Sequence, residues 1–393
     1  MQKILTNFTN YSMLKVFETL GLLLVAMMGA AVTTLMPLMV GAYSDSGHFT
    51  TQQVGWLTSA DVAGILIASA TAFLWGRRVN WRVVTSLGLL IFIACNIAST
   101  HITDFSHLMM IRFVAGVACG ASYAISLAAF GDFKKPDQAF GAVVTTQVVF
   151  GTIGFWILPN LISVDGLDSI FEFFNLFLIP ALILILITCP KNSKTSTVGA
   201  FQIDGNLKAA VYVFLGVVAY YFAQGTVWAY LERIGVDAQL TNTQIGLILG
   251  LGFAISAIGS IISGMYVDRY GRNSGLYLTA LIQIPCLAVL YFMTPETAFW
   301  IYAVSTIVYQ IMWSFVVPIM MALFSDIDSA GKLIVLCVSA FKVGLVIGPP
   351  VAALTINYFP VREVLWLGAI SIIVSILLTV RSSNILKSTT DHV

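Results

Sequence analysis

The sequence predicts an all-α membrane protein: twelve transmembrane helices in two pseudo-symmetric six-helix halves. Three observations carry this. Of 393 residues, 59% are hydrophobic and only 9% charged, at a mean hydropathy of +0.93, whereas about 25% of a soluble domain is charged. Apolar runs of membrane-crossing length recur along the whole chain, at about 20 residues per crossing. A short pattern in the first half returns in the second. A soluble enzyme is excluded because too little charge is available to coat it. A disordered chain is excluded because such chains are poor in apolar residues.

The elements follow in order. The first apolar run, 17–41, comes after Lys3 and Lys15 and is too long for the core of a signal peptide. The second, 54–75, opens on Gln53-Val54-Gly55, carries Asp61 and ends at Trp75-Gly76-Arg77-Arg78. The third covers 83–99. The fourth, 107–130, holds Arg112 and the small-residue pair Gly116 and Gly120, which reads as a packing face. The fifth, 139–161, holds Gln147, Gly151, Gly154 and Pro159, and the sixth covers 169–189. A polar stretch at 190–207, rich in Ser, Thr, Gly and Lys, falls at the midpoint and reads as a cytoplasmic linker. The second half continues with runs at 208–231, 243–266, 275–293, 298–324, 333–356 and 364–380. Gly246 and Gly250 form a second packing pair in the eighth run. The expected organisation is an N-terminal half 1–189, a linker 190–207 and a C-terminal half 208–393.

Orientation follows from lysine and arginine, which favour the cytoplasmic side. With the N-terminus inside, fifteen cations fall on cytoplasmic segments and two, Arg233 and Arg362, on outer loops; Arg112 and Lys342 lie within spans. Both termini are therefore expected in the cytoplasm, with an even number of spans. The repeat supports two equivalent halves: Gln53-Val54-Gly55 opens the second span and Gln244-Ile245-Gly246 the eighth, 191 residues later. A charged turn follows each, Arg77-Arg78 in one half and Asp268-Arg269 in the other. Parallel six-span halves are a transporter plan with its site at the repeat interface.

The five cysteines, Cys95, Cys119, Cys189, Cys286 and Cys337, are odd in number and unpaired in spacing, so they read as small membrane-core residues. The four histidines show no ligand spacing and no phosphate-binding loop is present, so no metal, cofactor or ATP is expected. A net charge of +1 offers nothing to nucleic acid.

The turn after the eighth span reads Gly264-Met-Tyr-Val-Asp268-Arg269-Tyr-Gly271-Arg272. It resembles the G-x-x-x-D-R-x-G-R loop of the major facilitator superfamily, in which such loops latch the halves in one state. Gly264 suits close helix approach, Gly271 a tight turn, and Asp268 a cap or pair. The equivalent first-half loop, Trp75 to Arg82, keeps the glycine and the basic residues but lacks the aspartate. Arg112-Phe-Val-Ala-Gly116 is similar to the family's R-x-x-x-G pattern. Gly344-Leu-Val-Ile-Gly348-Pro349-Pro350 is similar to its G-x-x-x-G-P bend. In many antiporters of the family that bend lies in the fifth span, where this chain has Pro159 displaced.

Charges inside spans cost about 2.5–3.5 kcal/mol on insertion scales, so each asks for a reason. Asp61 and Arg112 share a depth that permits an ion pair, read as a proton switch in which protonation of Asp61 releases Arg112. Lys342 lies near the bilayer centre and reads as a substrate-binding group. Gln224 and Trp228 share a helix face at i and i+4, and Tyr309, Gln310 and Trp313 offer similar chemistry in the tenth span. Amides beside aromatic faces suit a ligand with an apolar body and a polar head. Gln147 is a further candidate, and Tyr230 fits an interfacial aromatic belt. The sum of intramembrane charge is positive and favours an anion.

The expected function is proton-coupled secondary active transport of a small organic anion by alternating access. The alternative is proton-driven efflux of amphipathic or cationic compounds. The expected partners are a small-molecule substrate, protons and membrane lipids. The expected state is a monomer in a bacterial inner membrane.

Overall fold

A computed structural model describes residues 2–133, 135–190, 207–327 and 334–390. These are helical almost throughout: α1 (Gln2–Thr34), α2 (Met36–Asp45), α3 (Thr51–Trp75), α4 (Trp81–Ser99), α5 (Phe105–Gly131), α6 (Pro136–Asp165), α7 (Asp168–Thr188), α8 (Leu207–Asp237), α9 (Asn242–Tyr270), α10 (Arg272–Tyr291), α11 (Ala298–Ile327), α12 (Ile334–Tyr358) and α13 (Glu363–Thr390). Among the described residues, twelve of these are long and apolar enough to cross a membrane. The exception is α2. Most of the expected linker, 191–206, lies outside the described residues.

The contacts sort into two compact units. Unit 1 contains Met1–Thr34, Ala60–Phe150 and Leu167–Gly199; unit 2 contains Leu35–Ser59, Gly151–Gly166 and Ala200–Val393. In unit 1, α4 packs on α5 and α7, and α1 on α5 and α7. In unit 2, α8 packs on α12 and α13 while α9 packs on α11.

Two boundaries differ from the expected ones. The first run, expected as one span, breaks at Leu35, and α2 restarts as a separate ten-residue helix with proline at its first turn. Pro37 has no N–H to bond back to Thr33, so the ladder cannot continue across the join. The seventh run was expected to end at 231 with Arg233 in a loop; instead α8 runs on to Asp237. Glu232 and Arg233 bond to each other, so the two charges are paired where the helix outlasts its apolar stretch.

The sequence repeat has a physical basis. Thr50 Oγ1 accepts from Gln53 N at 3.3 Å while Gln53 Oε1 accepts from Thr50 N at 2.9 Å. Thr241 and Gln244 make the same reciprocal pair at 3.2 and 3.0 Å. Each is a capping box that satisfies two N-terminal N–H groups at once. The glycine after each box admits a helix carrying proline. A Cβ on Gly55 would stand 2.8 Å from Pro349 O and 2.7 Å from Ala353 Cβ; one on Gly246 would stand 2.5 Å from Pro159 Cγ. Pro159 and Pro350 are themselves 191 residues apart, so the fifth-span proline keeps the register of the repeat.

The cysteines are small packing residues only in part. Cys119 and Cys189 are buried, while Cys95 and Cys286 are half-buried, all four as free thiols. The side chain of Cys337 lies outside what the structure describes.

Candidate functional site

In unit 1, α3 and α5 cross at glycines. A Cβ on Gly116 would collide with the carbonyl oxygen of Asp61, and one on Gly120 would stand 2.8 Å from the Cα of Ile65. This is the packing face expected of that pair. Arg112 lies one helical turn before Gly116 and therefore on the same face, which aims its side chain at α3 beside Asp61.

The two side chains meet as a two-pronged ion pair. Arg112 Nη2 donates to Asp61 Oδ1 at 2.6 Å and Nε to Oδ2 at 2.9 Å, with both residues 0% exposed. Nη1 donates to Asn96 Oδ1 at 2.8 Å and reaches Ser99 Oγ at 3.4 Å. Asn96 in turn donates from Nδ2 to Asn175 Oδ1 at 2.9 Å. The Phe171 ring closes the guanidinium face at 4.6 Å. Four helices thus supply the cluster: α3 the acid, α5 the base, α4 and α7 the amides and the ring. Such a pair in low dielectric interacts strongly, and losing either charge leaves the other buried without compensation.

Gln147, also in unit 1, is half-buried and donates to Ala26 O at 3.2 Å. Here it ties α6 to α1.

Unit 2 holds a second polar chain. Gln224 Nε2 donates to Tyr309 Oη at 2.9 Å. Gln283 Nε2 donates to Tyr220 Oη at 3.0 Å and to Tyr309 O at 3.1 Å. All four side chains are buried. Gln224 and Tyr309 are thus brought together as a pair. Trp228, a turn further along α8, packs edge-on to Phe155 at 5.6 Å and flat on Phe253 at 6.4 Å. Gln310 faces away toward α9, its Cγ 3.7 Å from where Gly252 would carry a Cβ. Its Nε2 is buried with no hydrogen-bond partner among the described residues. Trp313 is half-buried.

α12 crosses α8 through the glycines of its bend. A Cβ on Gly344 would stand 2.6 Å from Val218 O, and one on Gly348 2.6 Å from Gly225 Cα. Phe341 stacks on Tyr221 at 4.2 Å on the same stripe. Lys342 lies one position off that stripe and is half-buried. Tyr230 is not an interfacial residue. It is 2% exposed and donates to Pro349 O at 3.3 Å, because α8 turns that face toward the proline bend rather than toward lipid.

The loop motif is looser. Gly271 ends α9 with a φ of +81°, a conformation that favours glycine. Asp268 and Arg269 are exposed, and Arg269 sits over the Tyr270 ring at 5.3 Å. Among the described residues, nothing lies within 4 Å of a Cβ built on Gly264, so none of the described helices takes up the space that glycine leaves. In the first-half loop, which lacks the aspartate, Arg77 instead pairs with Asp132 at 3.3 Å.

Sequence reasoning missed Asn96, Ser99, Phe171 and Asn175 around Arg112, Tyr220 and Gln283 around Tyr309, and the burial of Glu232. The amides carried a usable signal, since Asn96, Asn175 and Gln283 interrupt apolar runs where a polar side chain needs a partner.

Known proteins resemble this chain in sequence and in fold. The model of the Major Facilitator Superfamily matches residues 20–332 and 213–388. An uncharacterised MFS-type transporter of Enterobacter sp. (strain 638) is 24% identical over 281 residues, covering 69% of this chain and 71% of that protein. The fold is similar to that of a D-xylose–proton symporter, with a TM-score of 0.70 at 15% identity over 94% of this chain and 97% of that one. It is also similar to the human organic anion transporter MFSD10, with a TM-score of 0.66 at 16% identity over 93% and 98%.

Proposed function

Because the chain belongs to the major facilitator superfamily, and so is an integral membrane transporter rather than an enzyme, we propose that it is a proton-coupled symporter of a small organic anion. It works by alternating access between two six-helix halves, 1–189 and 208–393, joined by a cytoplasmic linker. Both termini face the cytoplasm. The Thr51 end of α3 and the Asp237 end of α8 face outward, and the membrane is the bacterial inner membrane.

One observation carries the reading: the fully buried Asp61–Arg112 pair. Its charge balance couples a proton to an anion. Protonating Asp61 removes the negative partner and leaves a guanidinium buried alone, which is costly. An anion arriving near Arg112 restores the balance. Proton and anion are then taken up together, because either alone leaves a net buried charge. Asn96 and Ser99 hold the guanidinium in place whichever partner it has. Lys342 adds a second cation for the substrate, and the Gln224–Tyr309 pair with Trp228 receives its apolar body and polar head. The solved neighbours include both a sugar symporter and an organic anion transporter, so the shared fold does not choose the substrate; the charge argument favours an anion.

The test is a thermal-shift screen of purified protein against carboxylates, sugars, amino acids and lipophilic cations at two pH values. A ligand at about 100 times its Kd adds about 2.7 kcal/mol of stability. Stabilisation by a carboxylate class, greater at low pH and lost in Lys342→Ala, supports the proposal. Stabilisation by lipophilic cations alone overturns it in favour of proton-driven efflux, the reading that the aromatic group Phe155, Trp228 and Phe253 favours.

A further inference from the structure

The α9–α10 hairpin of unit 2 carries a cleft that the sites above do not use. The two helices turn sharply at Gly271, but α9 packs mainly on α11, and α10 on α11 and α13. They therefore diverge from the turn, and a groove of about 620 Å³ runs along α10. Tyr266 of α9 and Ser274, Leu278, Leu281, Ile284 and Pro285 of α10 line it. Leu281 is 70% exposed, so the groove opens sideways toward lipid.

Its chemistry changes along its length. The end near the turn is polar, where the Tyr266 and Ser274 hydroxyls share a hydrogen bond of 2.8 Å. From Leu278 to Pro285 the side chains along it are apolar. Ser274 and Pro285 are eleven residues apart, about 16 Å at 1.5 Å per residue. That matches the roughly 15 Å of hydrocarbon in one leaflet of a bilayer. Spread over this length, the volume gives a cross-section of about 40 Å², about half that of a helix roughly 10 Å across. A helix of another protein does not fit, whereas an acyl chain does.

Charge sits where a headgroup would. Arg269 and Arg272 flank Gly271 at the polar end, with Asp268 the acid of the same turn. Two cations against one acid leave the turn positive, and basic residues beside a membrane surface attract anionic lipid. Arg269 lies over the Tyr270 ring at 5.3 Å, and that ring stands 4.8 Å from the ring of Tyr266. The guanidinium is thus stacked against the wall of the groove mouth instead of trailing in solvent.

We propose that this groove binds an anionic phospholipid, with one acyl chain along α10 from Leu278 to Pro285 and the headgroup phosphate on Arg269 and Arg272. The cytoplasmic leaflet as its source rests on the orientation given above; the site itself does not.

The test uses the full chain in nanodiscs, which offer the same lipid from both sides and so read the site whichever way the chain is inserted. A trace of phospholipid with a photoreactive diazirine in its acyl chain is added with either a phosphatidylglycerol or a phosphatidylcholine headgroup. Adducts are mapped by mass spectrometry. The phosphatidylglycerol probe should label the stretch 266–285 several-fold more than the phosphatidylcholine probe. Ala280→Phe, which fills the middle of the groove, should cut that labelling to the level found at the exposed Ile183 and Ile187 of α7. Arg269→Gln with Arg272→Gln should equalise the two probes. Labelling no higher than on α7 overturns the proposal. So does equal labelling by the two probes in the unaltered chain, or undiminished labelling in Ala280→Phe. If Ala280→Phe fails to fold, the headgroup preference of the arginine variant decides. A second copy of the chain in the groove would instead give disulfide-linked dimers of Leu281→Cys in a background lacking the five native cysteines, and that outcome also overturns it. No readout involves the transported substrate, so failure here leaves the transport reading untouched.

Discussion

Gly116 lets the backbone of α5 rest on the carbonyl of Asp61, and that contact is what brings Arg112, one turn earlier, into bonding range of the Asp61 carboxylate. The ion pair is a consequence of a glycine. Gly116→Ala should push the helices apart and cost about 1–3 kcal/mol, the usual range for overpacking. Gly131→Ala ends the same helix where none of the described residues lies within 4 Å. It should be neutral or stabilise by about 0.5–1 kcal/mol through reduced chain entropy. Thermal unfolding of the two variants in one detergent checks the contrast, and equal shifts would refute it.

Arg112→Gln leaves Asp61 buried without its partner and should destabilise by about 3–5 kcal/mol. Asp61→Asn with Arg112→Gln should recover much of that loss, because no charge remains to be compensated. Asp61→Asn alone should make anion binding independent of pH, since the site no longer takes up the proton. Denaturation midpoints measure the first two, and ligand titrations at two pH values measure the third.

Lys342→Ala should abolish anion binding while the ligand-free Tm stays close to that of the parent, because the side chain is half-buried rather than sealed in the core. Binding that survives the substitution would remove Lys342 from the site.

Asp104 caps α5 by accepting from His107 N at 2.9 Å. That bond, and then the one from the His107 ring, hold its carboxyl below the usual range. The sign follows: a depressed carboxyl stabilises the fold above its unfolded pKa and loses that contribution as pH falls through its folded value. Asp104→Ala should therefore lower Tm at neutral pH, and the gap to the parent should close as the solution is made acid enough to protonate the capping carboxylate. A constant gap across that range would show that the cap acts without its charge.

The spans were legible because lipid imposes a length and a composition that few other environments do. The α3–α5 crossing was legible too, because Gly116, Gly120 and Arg112 have one-turn spacings that a helix converts directly into a shared face. What escaped were relations between distant segments. Nothing near Arg112 in sequence points to Asn96 or Phe171, which reach it from α4 and α7. The break at Leu35 was missed because the run stays apolar straight through it and only the missing proline N–H interrupts the ladder. Arg233 reads as a loop residue because hydropathy drops there, although it lies within α8 and bonds Glu232. The spacing of Tyr230 gave no clue to burial, since an aromatic near a span end suits a lipid interface and a proline bend equally well.

The reciprocal threonine–glutamine bonds that open α3 and α9 also bear on how these helices meet bilayers of different thickness. A helix start held by two side-chain bonds cannot shed or gain a turn without breaking both. In a thicker or thinner membrane these two rods must respond by tilting, not by fraying, so their inclination, rather than their length, is what lipid composition will tune.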